Sequence, residues 1–143
     1  MAKRVTVTEE AFDDAITEYW SFLDRQYGFQ ITKKSKKHYE ALGRTTRLSL
    51  SHWKAEVEIF IGPCQEFSDR VFDETGKRLR NIEVRVVADK LFPEAEFLNE
   101  TVWNDQELIE ALSSIANLVR SRLSFLLEAD YEVWLETTKR LKS

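Results

Sequence analysis

From Phe12 onward, apolar residues recur every three or four positions, at Phe12, Ile16, Tyr19, Trp20, Leu23 and Tyr27. That is the buried stripe of an amphipathic helix. Thr8 stands where an N-cap belongs, and Glu9 and Glu10 fill the first turn, where the helix dipole favours negative charge. Gly28 stands where a left-handed cap is expected. The spacing predicts a helix over about residues 8–26.

Between Phe29 and Ala88 the period drops to two, and β-branched and aromatic residues replace helix formers. Trp53, Ala55, Val57, Ile59 and Ile61 share one parity, with Lys54, Glu56 and Glu58 on the other. Leu48 and Leu50 have the opposite parity, so a turn or bulge is expected near Ser51 and His52, joining two strands. Gly62-Pro63 closes the second of these. Residues 67–72 suggest another strand, 73–77 a hairpin loop, and Ile82, Val84 and Val86 a firmer strand, while 38–42 before Gly43 suggests one more.

After a connecting stretch from Pro93 to Thr101, Asn104 and Glu107 form a capping-box pattern. Leu108, Leu112, Ile115, Val119, Leu123 and Leu126 then mark a long helix ending near Glu128. Ile109, Ala116, Leu118 and Phe125 widen its apolar face, as contact on two sides requires. The second contact is either the first helix or another molecule, with Leu118, Phe125 and Trp134 as candidate interface residues. Asp130 caps a last helix carrying Tyr131, Trp134, Leu135 and Leu141. The order predicts an α+β domain spanning residues 1–143: an N-terminal helix, a mostly antiparallel meander of four or five strands, and two C-terminal helices on one face.

Composition suits such a domain. Hydrophobic residues make up 43% and charged residues 32%, which excludes a disordered or collagen-like chain. Apolar runs are too short to cross a bilayer and no secretory signal is visible. A single cysteine, Cys64, permits no internal disulfide, so a reducing, cytoplasmic setting is expected. Net charge is −4 but unevenly spread. Residues 33–54 carry Lys33, Lys34, Lys36, Lys37, Arg44, Arg47 and Lys54 against Glu40 alone. This segment reads either as a basic binding patch or as a strand edge protected by lysine.

Catalytic motifs are absent. The four glycines are scattered, so there is no phosphate-cradling loop, and no serine sits in a nucleophile elbow. His38 and His52 could act as bases, or could bind a metal if neighbouring strands bring them together with Glu40 or Glu56. Their basic surroundings disfavour the imidazolium, and ordinary strand histidines are the simpler reading. Cys64 reads as buried rather than reactive. The acidic runs fall at helix starts or in loops, where solvation explains them. No cofactor is expected, and the balance leans away from an enzyme. Nucleic-acid binding would use Lys33 to Tyr39 with Trp53 nearby, against the repulsion of an acidic protein of pI near 5.3.

At Tyr27-Gly28-Phe29, the alternating strands and the tail from Leu126 to Leu135, the chain resembles small uncharacterised bacterial α+β proteins. Some of those resemble immunity proteins that neutralise toxins made by the same cell. The resemblance implies a non-enzymatic partner-binding domain, with a protein partner or a homodimer. The basic segment differs from the acidic surface that a cationic nuclease toxin would require. The alternatives are a nucleic-acid accessory protein using residues 33–54 and a ligand-binding or enzymatic domain with an aromatic pocket, since aromatics reach 12%.

Overall fold

The computed structural model describes residues 4–64, 70, 76–78, 81–94 and 100–142. The chain runs α1 (Glu9–Tyr19), α2 (Phe22–Tyr27), β1 (Gln30–Ser35), β2 (His38–Leu42), β3 (Thr46–Trp53), β4 (Glu56–Pro63) and β5 (Ile82–Glu83). It continues through α3 (Val84–Leu91), α4 (Asp105–Arg122), α5 (Ser124–Leu127) and α6 (Tyr131–Lys142). The five strands form one antiparallel sheet in sequence order, so the expected α+β meander is present.

Local chemistry explains most boundaries. Thr8 Oγ1 accepts the Ala11 amide, and Gly28 closes α2 at φ +70°. Asn104 accepts the Glu107 amide at 2.9 Å, and Glu107 reaches back to the Trp103 amide at 2.9 Å. Asp130 accepts the Val133 amide at 3.0 Å. Gly43 has a packing role: a Cβ there would lie 2.6 Å from the Phe29 ring.

Four expectations are corrected. The single helix over 8–26 is two helices, because a turn at Trp20–Ser21 allows Trp20, Phe22 and Leu23 all to be buried, which one straight stripe does not. Likewise, the long C-terminal helix is interrupted at Leu123, which lets Leu123, Leu126 and Leu127 face inward while Phe125 faces out. The strand through Val84 and Val86 is helix α3 after two strand residues; Val84, Val87, Ala88 and Leu91 are its buried face at helical spacing. Alternation over 82–86 concealed that longer period. The turn expected near Ser51 and His52 falls at Lys54–Ala55, so Trp53 ends β3 on the face opposite Leu48 and Leu50. Most of the expected strand at 67–72 and of the loop at 73–77 lies outside the described residues.

One face of the sheet is core. Ile31, Ala41, Leu48, Ile61 and Ile82 are successive cross-strand neighbours on it. Segments of α3, α4 and α5 meet β3 or β4, and α1 packs along α4, taking the second side of that broad apolar helix. The opposite face carries the row Thr32, Glu40, Ser49, Phe60 and Glu83. This division is usual for an antiparallel sheet covered on one side. The end of the stretch from Pro93 to Thr101, expected as plain connection, extends with Val102 the edge beside β4: Val57 donates to the Glu100 carbonyl at 2.9 Å and Val102 to the Ala55 carbonyl at 2.7 Å. No helix among the described residues is long and apolar enough to cross a membrane.

Candidate interaction surface at the hairpin tips

In a meander, alternate turns lie at the same end of the sheet. The β1–β2 turn at Lys36–Lys37 and the β3–β4 turn at Lys54–Ala55 are therefore neighbours, and the His52 amide joins them by donating to the Lys37 carbonyl at 3.0 Å. Both tips hold a lysine in left-handed backbone, Lys37 at φ 55° and Lys54 at φ 56°. Beside them Trp53 is 66% exposed, although tryptophan is highly buried on average. Three lysines and one open indole thus share a rim.

The basic segment does not form one patch. Lys33, on the core-facing side of β1, is clamped by Glu9 at 2.6 Å and Asp13 at 2.8 Å from α1. Those hydrogen bonds raise the Lys33 pKa and lower that of Asp13. Arg44 lies in the β2–β3 turn at the far end of the sheet. Arg47 is half-buried on β3, paired with Leu42 and Gly62. Lys34 lies at the irregularity of β1 and is exposed. Tyr39 also points inward: its ring meets Phe12 at 6.0 Å and its hydroxyl donates to Asp13 at 2.9 Å.

The histidines do not converge. His38 lies on the outer face, its Nε2 3.2 Å from the Ser49 hydroxyl. His52 belongs to the buried face of β3, where desolvation, and then Lys37, lower its pKa. They stand on opposite sides of the sheet, and among the described residues no trio of potential ligands is placed to hold a metal. Cys64 is buried, its thiol 3.4 Å from the Gly43 carbonyl.

At the helical layer, Trp134 is fully buried and is core, not interface; its indole donates to the Thr46 hydroxyl at 3.3 Å. Leu118 is partly buried against the core, and Phe125 is 41% exposed. Of the described aromatic residues, Phe12, Trp20, Phe29 and Trp134 are essentially sealed in the core, while Tyr19, Tyr27 and Phe92 are only partly buried.

Glu100 corrects the expectation that solvation explains the acidic run Glu94, Glu96 and Glu100. Glu100 is buried beside the β4 edge, with Arg85 Nη1 3.5 Å from its Oε1. Burial, reinforced by Glu83, pushes its pKa up to about 7 against the opposing effect of Arg85. Its position before the β-branched pair Thr101-Val102 was the available signal, since strand-like residues there imply an edge and a partly enclosed neighbour.

No family model, curated protein or solved structure matches the chain.

Proposed function

We propose that this chain is a partner-binding domain that engages an acidic protein surface through the rim formed by Lys36, Lys37, Trp53 and Lys54. The observation that carries this reading is Trp53, two-thirds exposed beside two lysines in left-handed backbone. A non-glycine residue in that conformation costs about 1–2 kcal/mol. Two adjacent tips accept this cost where glycine or asparagine would be cheaper, which argues that the lysine side chains serve a purpose. An exposed indole flanked in the chain by Lys54, with Glu56 opposite it across the turn, has the aromatic-and-charged composition of an interface hot spot and would meet a partner carrying a carboxylate beside an apolar recess.

Nucleic acid is the weaker fit. Lys33 is neutralised, Arg44 is remote and Tyr39 is turned inward. Few phosphate contacts remain, whereas affinity for a polyanionic backbone grows with their number. In the immunity-like form of this proposal the partner is a toxin with an acidic recognition surface.

The test is titration of the isotope-labelled chain with a polyglutamate peptide and with oligothymidylate of equal charge. The peptide should give saturable amide shifts confined to residues 36–37 and 52–55, removed by combined K36E, K37E and K54E substitutions. Tighter binding of the oligonucleotide, or shifts centred elsewhere, would refute the proposal.

A further inference from the structure

The turn at Trp20–Ser21 separates α1 from α2 and leaves a cleft of about 240 Å³ against α4. Its α4 wall consists of Ser113, Ala116, Asn117 and Arg120, spaced at helical steps on one face. Small and polar side chains at these positions create a recess that the larger apolar residues elsewhere on α4 would fill. Phe22 lines the cleft, and the Arg120 guanidinium lies 5.2 Å above its ring, a cation–π contact that restrains the side chain. Arg25 enters from α2.

Neither Arg25 nor Arg120 forms an ion pair with a described residue, whereas Arg85 and Arg122 are paired with Glu100 and Glu94. Glu18 is the acidic group lining the cleft, so positive charge predominates there. Guanidinium forks bind planar or tetrahedral oxyanions by paired, charge-assisted hydrogen bonds. The volume lies below the roughly 300–1,000 Å³ of drug-sized sites, which restricts an occupant to a small molecule.

We propose that this cleft is a binding site for a small molecule bearing an oxyanion, carboxylate or phosphate. Arg25 and Arg120 receive the anionic group, Phe22 supplies an apolar surface, and Glu18, Ser113 and Asn117 receive donor groups on the remainder of the ligand. The site is separate from the hairpin-tip rim and does not depend on the function proposed for it.

The experiment titrates the labelled full chain with inorganic phosphate and, separately, with benzoate. Saturable shifts at Ser113, Asn117 and Arg120 are expected with at least one probe, and the tighter probe identifies the oxyanion class. R25Q and R120Q should each weaken that binding roughly tenfold, with unchanged melting temperature for the exposed Arg25 and a slight loss for R120Q, which also gives up its contact with Phe22. K54Q should leave it unaltered. Absence of saturable binding by both probes would overturn the proposal. So would binding that survives in the R25Q/R120Q double variant, or that is lost in K54Q.

Discussion

Lys37 and Lys54 occupy neighbouring hairpin tips in nearly identical left-handed conformations, φ 55° and 56°, tied together through the hydrogen bond from His52 to the Lys37 carbonyl. Relief of that backbone cost should be measurable. Lys37→Gly and Lys54→Gly are each expected to stabilise the fold by about 0.5–1 kcal/mol in urea denaturation, after allowing for glycine's greater unfolded-state entropy. Each should also weaken acidic-peptide binding. Stabilisation without loss of binding would detach the lysines from function.

Trp134, Thr46 and Leu126 form a buried relay: the indole donates to the Thr46 hydroxyl, which donates to the Leu126 carbonyl. Thr46→Val keeps the shape but leaves the Trp134 N–H without its acceptor, while the Leu126 carbonyl keeps the Ala129 amide, so a loss of about 1–3 kcal/mol is expected. Phe125→Ser should cost less, about 1 kcal/mol, because only part of the ring is covered. Thermal unfolding of the two variants separates core from surface in the C-terminal layer.

Glu100 gives the protein a distinctive pH response. Its folded pKa is raised to about 7, so the folded state holds a proton that the unfolded chain releases at lower pH. Its contribution to stability is complete below the ordinary carboxylate range, falls as pH rises from there through about 7, and is flat above. Glu100→Gln should remove this decline and stabilise the protein at pH 8 by about 2 kcal/mol. Equal pH profiles for the two proteins would contradict the buried carboxyl.

Lys33 should react with an amine-acylating reagent at neutral pH more slowly than Lys36 or Lys54, since Asp13 and Glu9 hold its ammonium and raise its pKa. Asp13→Asn should bring its rate closer to theirs, read by peptide mass spectrometry. Equal rates in the unsubstituted protein would mean that the clamp does not persist in solution.

Elements governed by local chemistry were legible in the sequence. The caps at Thr8, Gly28, Asn104 and Asp130 act within a few residues of themselves, and β4 alternates cleanly because one of its faces is sealed. Competition between periods concealed the rest. Val84 to Leu91 begins like a strand and is settled as a helix only by its packing against β4 and α6. Trp53 shares parity with Val57, yet the two-residue turn between them reverses its face. Charge proximity in sequence was also a poor guide to the candidate site. Lys33 and Lys34 are adjacent in the chain, but Lys33 is recruited by α1, whose register against β1 is a tertiary property.

The most direct measurement of the central claim is calorimetric titration of a polyglutamate peptide into the unsubstituted protein and Trp53→Ala at physiological salt, with melting temperatures recorded for both. The account predicts nearly unchanged melting temperature, because the indole is mostly in water, together with a loss of affinity of roughly tenfold or more. Unchanged affinity, or a large loss of stability, would contradict a tryptophan held open for a partner.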